Sequence, residues 1–533
     1  MSTVLAASGF SLPHISYLAI LPELMLLGGA LLILTVSALL RRPMDPEVAT
    51  ALAMGVALAA LVVSIVQWFD VANHGGHGHV TIDAAVIEDG FSALVAILVS
   101  CAALVSALLG EAWMRREGTT GPEFQVLMLV SASGAIIMGQ ANDLIVIFLG
   151  LEILSIALYV LAAMNARRVE SGEAALKYFV LGAFSSAVFL YGIALVYGAT
   201  GSTNLGQIAA YLAHNVLLHN GLLLAGMAFL LVGFGFKIAA VPFHLWTPDV
   251  YQGAPSPVTG FMAAVAKTGG FAALLRVFVS SFGIERTDWQ PAVWVMAAIT
   301  LLLGAVVALA QRDIKRMLAY SSINHAGFVL LGLQAATQRG IESALYYLFV
   351  YTFMVIGSFA VVTVVAGPGD ARHDLERYRG LAGRRPLLAG ALAVLLMAQA
   401  GIPFTTGFLA KLEVISAAVG ARSTALAVVA MVSAAIAAFF YLRVVLVMYS
   451  GAAAVRAGAG VPAAAAAVPL AGEAGSVGVP PAPADVAPDD PGLPASAAGA
   501  IGVCVVVTVL FGVWPAPLVD FAHQAAQLTS LFH

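Results

Sequence analysis

The chain has 533 residues, of which 61% are hydrophobic and only 10% charged, with a formal net charge of -4. A typical soluble protein carries about 25% charged residues, so this composition describes a polytopic membrane protein, and charge spread so thinly excludes a nucleic-acid partner. The two cysteines, Cys101 and Cys504, are too few for an iron-sulfur cluster or a cysteine zinc site, and they imply no disulfide framework.

A helix crosses the hydrocarbon in about 20 apolar residues, and fourteen stretches of the chain qualify. The first three, 17–40, 50–69 and 90–110, make up an N-terminal group within residues 1–110. No basic segment precedes the first run, and the run is too long for a signal-peptide core, so it reads as a retained span. Five more, 123–141, 143–164, 174–198, 221–253 and 257–282, form one unit over 123–282. Another five, 291–310, 317–335, 343–366, 387–417 and 424–449, form a second unit over 291–449. Residues 450–498 are rich in Ala, Pro and Gly without helical period and read as a cytoplasmic linker. The last span covers 499–521.

Spans seven and twelve are too long, and each holds a Pro-Phe pair, at Pro242 and Pro403. Proline removes a backbone donor and clashes with the preceding turn, so both helices should break there. Broken helices free backbone groups that need protein or water as partners, which places them beside polar cavities. Span six opens with ESGEAALKYF and span eleven with GIESALYYLF, aligning Glu173 with Glu342, Lys177 with Tyr346 and Tyr178 with Tyr347. The offset of five helices is odd, so the two units should be inverted across the membrane. The expected fold is therefore an all-α polytopic membrane protein with about 14 transmembrane helices, an inverted repeat of two five-helix units, and helices 7 and 12 broken.

Lys and Arg in alternate connections number sixteen on one side and three on the other. The positive-inside rule then sets both termini on the periplasmic side of a bacterial-type plasma membrane. Five basic residues remain inside spans, namely Lys177, Lys237, Lys267, Arg276 and Lys411. Glu152 lies roughly 13 Å, Lys267 roughly 15 Å and His325 roughly 12 Å from the nearer end of their spans, at the rise of a helix. Lys237 precedes the break of span seven, and Lys411 follows that of span twelve. Each could be a static pair holding helices together. As a set they point to a pathway for protons, because one carboxylate cannot neutralise three lysines and intramembrane ionisable groups are costly.

Two further residues join the candidates. Lys177 stands near an end of span six as pathway entrance or snorkelling anchor, and His244, just past the break, is a relay or a partner for freed carbonyls. Glu23 reads as structural and Arg276 as an outer-side anchor. The loop HGGHGH at His74 to His79 has a metal-like composition but no carboxylate at fixed spacing. Neither a Walker motif nor a dinucleotide fingerprint occurs. With no energy source of its own, the chain must be driven by a partner or by an ion gradient.

Three stretches, KIAAVPFHLWTPDVYQGAPSPVTGF from Lys237, RDIKRMLAYSSINHAGF from Arg312 and GIPFTTGFLAKLEVI from Gly401, resemble the antiporter-like subunits of respiratory complex I, the proton-pumping NADH:quinone oxidoreductase. The similarity runs from span four to span thirteen. The continuation from Asp249 to Pro255 and the lysine at 411 favour the subunit N family over subunit M, which carries glutamate at the matching place. The resemblance implies that Glu152 and Lys237 form an entry pair, Lys267 and His325 a central relay, and Lys411 the terminal group on the exit side. It implies no cofactor and no redox centre in this chain; NADH, FMN, iron-sulfur clusters and a quinone belong to partner subunits. The implied partners are the other membrane and peripheral subunits, including the neighbouring subunit M, and membrane lipid. The linker at 451–498 departs from the family pattern. The alternative function is a subunit of a multi-subunit cation/proton antiporter.

Overall fold

The computed structural model describes residues 15–73, 78–215, 220–450 and 492–527. His74, His77 and nearly all of the Ala/Pro/Gly-rich linker lie outside the described residues. The helices in chain order are α1 (Leu21–Leu39), α2 (Pro46–Asn73), α3 (Gly90–Glu117), α4 (Glu123–Gln140), α5 (Leu144–Ala162), α6 (Val169–Thr200), α7 (Leu205–His214), α8 (Gly221–Ile238), α9 (Trp246–Gly253) and α10 (Ser256–Arg276). They continue as α11 (Arg286–Ala310), α12 (Ile314–Ala335), α13 (Gln338–Ala366), the single turn α14 (Leu381–Arg384), α15 (Pro386–Ala400), α16 (Thr406–Gly420), α17 (Thr424–Tyr449), α18 (Ala495–Val513) and α19 (Ala516–Gln527).

Among the described residues, twelve helices are long and apolar enough to cross a membrane. The two other expected spans are α12, whose buried polar side chains lower its hydropathy, and the short pair α15 and α16. A two-stranded antiparallel hairpin, β1 (His79–Thr81) and β2 (Val86–Glu88), precedes α3 and is the one sheet among the described residues. The amphipathic α7 and α19 are also additions to the expected set; their apolar stripes are too short to register as spans.

Both expected breaks are present. Span seven divides into α8 and α9 around Ala239, whose φ is 61°, and the cis Val241-Pro242 peptide bond. Span twelve divides into α15 and α16 around Gly401, at φ 86°. Glycine suits that position, because an added Cβ would lie 2.9 Å from the Cδ of Lys411 and the residue bearing it would have to adopt a left-handed backbone.

The core is centred on α10, which is buried along its entire length from Ser256 to Arg276 and packs against α3, α4, α8 and α13. Its N-terminus is held by Asp370, a fully buried carboxylate that accepts from Ser256 N and Oγ, both at 2.8 Å, and faces Lys315 Nζ at 3.5 Å. Burial by itself would raise this carboxyl, yet Lys315 and His373 hold it below its ordinary range. At its other end stands Arg276, expected from the sequence as an outer-side anchor. It is buried and forms a bidentate pair with Asp89, at 3.0 and 2.9 Å, and donates to Gly139 O at 2.9 Å. Asp89 also caps α3 through Ser92 N. Glu23 is buried, with one carboxylate oxygen lacking a partner among the described residues.

Two backbone clasps share one pattern. Leu144 N donates to Thr203 O and Leu205 N to Asn142 O, both at 2.9 Å, flanking an Asp143–Asn204 bridge. Ile314 N donates to His373 O and Leu375 N to Arg312 O, both at 2.8 Å, flanking an Asp313–Asp374 bridge. Asp143 and Asp313 each cap the helix that follows, accepting from Ile145 N and Arg316 N. The two clasps join the start of α5 to the end of α6, and the start of α12 to the end of α13.

Candidate functional site

Lys237, Lys267, His325 and Lys411 are each at most 5% exposed. None of the three lysines makes an ion pair among the described residues, and each is met by neutral groups. An ammonium in that position is expensive to keep, so what surrounds it decides what it can do.

Lys237 lies in the last turn of α8. Its Nζ donates to Ser155 Oγ at 2.8 Å and to Tyr178 OH at 3.4 Å, and stands 5.7 Å from the Tyr178 ring centroid. Ser155, Tyr159, Ser185 and Ser186 help to line a small cavity beside it, about 10 Å³ for the centre of a water, which is enough for about one molecule. Glu152 sits one turn before Ser155 on α5. It is half-buried, its Oε1 has no partner among the described residues, and it does not close an ion pair with Lys237. Ser155 makes the direct contact with the lysine, and the charge of Glu152 acts on Lys237 from one turn away on the same helix.

Lys267 is carried by the buried α10 and donates to the carbonyl of Ser322 on α12. The Ser322 hydroxyl accepts from Tyr351 OH at 2.8 Å and lies 3.4 Å from Tyr251 OH. One turn further along α12, His325 Nδ1 meets Tyr347 OH at 2.7 Å and Nε2 meets Tyr441 OH at 3.0 Å. Tyr441 OH also contacts Ser321 Oγ and lies 3.5 Å from Gln399 Oε1. Gln399 ends the line, because its carbonyl and that of Ala400 each accept from Lys411 Nζ at 2.8 Å. These two carbonyls are freed by the break after α15, so Lys411 satisfies the helix end that proline and glycine opened. The result is a line of polar groups in two hydrogen-bonded stretches, one from Lys267 through Ser322 to Tyr351 and one from His325 through Tyr441 and Gln399 to Lys411, which meet where the His325 and Tyr351 rings pack with centroids 4.9 Å apart.

Between Lys237 and Lys267 the connection is aromatic. Tyr178 stacks on Trp246, with centroids 4.6 Å apart and planes at 11°, and Trp246 meets Tyr251 at 6.2 Å. Gly270 on α10 passes the stem of Lys237, where a Cβ would be 3.4 Å from Cγ. No hydrogen-bonded side chain joins the two lysines among the described residues.

The two secondary candidates separate. Lys177, eight residues into a helix that begins earlier than the sequence suggested, is 42% exposed and donates to Asp249 Oδ2 at 2.9 Å, with Glu173 at 2.6 Å. Arg316 holds the other oxygen of Asp249 at 2.7 Å. Together with Glu170, Asp313 and His373 they line an open cleft of about 450 Å³. His244, within the break, is 7% exposed and its Nδ1 has no partner among the described residues. No group of His, Cys, Asp or Glu suited to a metal occurs among the described residues.

Sequence reasoning missed the neutral links, Ser155, Ser322, Tyr351, Tyr441 and Gln399, since hydroxyls and amides carry no charge signal in an apolar run. One signal was present. The internal echo aligned Tyr178 with Tyr347, and these two hydroxyls contact Lys237 and His325 respectively.

Comparison with known proteins agrees with this architecture. Residues 141–437 match the family described as NADH:quinone oxidoreductase/Mrp antiporter, TM. A protein of Trichlorobacter lovleyi named NADH-quinone oxidoreductase subunit N is 45% identical over 321 residues, 60% of this chain and 66% of that one. The Parafrankia sp. protein of the same name is 43% identical over 420 residues, 75% of this chain and 80% of that one. A chain in respiratory complex I from Thermus thermophilus superposes with a TM-score of 0.73 at 32% identity, covering 94% of this chain and 98% of its own. The chain therefore belongs to the NADH:quinone oxidoreductase/Mrp antiporter transmembrane family, among the relatives that carry the name NADH-quinone oxidoreductase subunit N.

Proposed function

We propose that this chain is a proton-translocating membrane subunit of an NADH:quinone oxidoreductase, passing protons along Lys237, Lys267, His325 and Lys411 while redox chemistry proceeds in partner subunits. The observation that carries the reading is the buried line of hydroxyl, imidazole and amide groups between Lys267 and Lys411. Each of its side-chain members can hold or pass a hydrogen bond, and the line ends in two amines that can take up or lose a proton. Glu152 and Lys177 stand on the Lys237 side, at the entry end of the proposed path, with His244 beside the break as a further proton carrier.

The matched backbone clasps support the inverted repeat, since each residue of the second follows its counterpart in the first at one fixed spacing, 144 with 314 and 203 with 373. In that arrangement α4 to α10 and α11 to α17 are two five-span units, and a proton enters through one and leaves through the other. The sixteen-to-three charge asymmetry makes the cleft side cytoplasmic and sets both termini on the periplasmic side of the plasma membrane. Neighbouring membrane subunits would cover the lipid-sized apolar faces of the outer helices.

The test is NADH-driven proton pumping in membranes carrying Lys411→Ala or Lys267→Met in the assembled complex. Pumping should fall at least about tenfold, since each truncation removes ammonium hydrogen bonds worth about 1.5–3 kcal/mol. Full pumping in both assembled variants would refute the relay. The family also includes cation/proton antiporters. Co-purification decides between them: an NADH-oxidising, flavin-containing assembly supports the proposed role, and a cofactor-free assembly that exchanges Na+ for H+ supports the antiporter.

A further inference from the structure

The cleft and the Lys237 cavity are reached in the same order along two separate elements. On α6, Glu170, Glu173 and Lys177 line the cleft, Tyr178 follows, and Gly182 and Ser185 line the cavity. On the broken helix, Asp249 and Gln252 line the cleft, Trp246 follows, and Phe236 and Lys237 line the cavity. The two residues that fall between, Tyr178 and Trp246, are the two that stack on each other.

Both are buried, at 0% and 3% exposure. Tyr159 closes against the edge of Tyr178 at 4.7 Å, and Trp246 is fixed by its Nε1 donating to Phe236 O at 3.0 Å. Lys177, the neighbour of Tyr178, is tied to Asp249 on the same short helix as Trp246. Separating the rings therefore means parting α6 from α9, and that parting first breaks the Lys177–Asp249 contact.

We propose that the Tyr178–Trp246 stack is a closable septum between the charged cleft and the Lys237 cavity, latched by the Lys177–Asp249 ion pair. Its role as a proton gate rests on the function proposed above. Its existence as a barrier does not, so the two can fail separately. A relay that began in open contact with the cleft would let protons return by the way they came. A septum that opens only when α6 and α9 part allows Lys237 to load from the cleft and then be sealed from it.

Access to Ag+, a thiol-binding cation close to a water molecule in size, tests the barrier, read as the cysteine's loss of reactivity toward an alkylating reagent added after denaturation. The host is the detergent-solubilised assembled complex in which Cys101 and Cys504 of this chain are replaced by serine. Asp374→Cys places a thiol in the cleft, and Ser185→Cys places one in the cavity beyond the septum. Labelling at 185 should be slower than at 374 by at least about tenfold, because a gated site reacts in proportion to its open fraction. Adding Trp246→Ala should abolish the difference, and Trp246→Phe, which keeps an aromatic face, should preserve it. Asp249→Asn should speed labelling at 185 by about two- to fivefold, the worth of an exposed ion pair.

Equal labelling at 185 and 374 in the otherwise unaltered chain would overturn the septum, and this comparison stands even where Trp246→Ala does not assemble. An assembled Trp246→Ala complex with no acceleration would overturn it as well. An unchanged rate with Asp249→Asn would remove the latch.

Discussion

Tyr441→Phe is the sharpest probe of the relay because it deletes one oxygen and little else. That hydroxyl lies 3.0 Å from His325 Nε2 and 3.5 Å from Gln399 Oε1, and it contacts Ser321 Oγ. The ring is 1% exposed and packs on Phe440 at 4.3 Å, so phenylalanine fills the same space and assembly should survive. A net hydrogen bond is worth about 1 kcal/mol, and a buried polar atom left without its partner costs about 1–3 kcal/mol. If about 2–3 kcal/mol falls on the transfer step, the rate drops about 30- to 150-fold. The assay is NADH-driven proton uptake by inverted membrane vesicles, normalised to assembled complex. Pumping by the assembled Tyr441→Phe complex at the unaltered rate would refute the placement of this hydroxyl between His325 and Lys411.

Other consequences follow from particular residues. Gly401→Ala should reduce pumping strongly while leaving the span in place, because the left-handed backbone alone costs about 1–2 kcal/mol and the new methyl would displace Lys411 from the freed carbonyls; pumping equal to the parent would argue against that placement. His373, in the connection after α13, is pushed down to about 4, chiefly by burial with Lys315 acting in the same direction. The unfolded imidazole takes up its proton near its ordinary 6.5 and the folded one resists it. Stability is therefore complete above about pH 6.5 and is lost progressively as the pH falls from there towards 4. Thermal unfolding of the purified complex between pH 4 and 7 should show this slope, and His373→Gln should flatten it.

Much of the architecture was readable because membranes simplify the code. Apolar runs revealed the helices, and a proline inside an overlong run revealed each break. Five ionisable groups within such runs stood out because lipid makes them costly. Composition did not reveal β1 and β2, α7 or α19, whose apolar stretches are short and which lie outside the periodicity of a span.

The sequence by itself determined that this is a helical membrane protein with two broken helices and with Lys237, Lys267, His325 and Lys411 set deep within it. Tertiary structure alone decided which groups they meet. His325 and Tyr441 are 116 residues apart in the chain and 3.0 Å apart in space, and no local pattern encodes that meeting. Tertiary packing also brought Ser155 into direct contact with Lys237, and made Arg276, expected as an outer-side anchor, the buried partner of Asp89. The physical reason is that a charge in an apolar run declares its cost in one dimension, while the partners that offset that cost are uncharged and are brought to it only by folding.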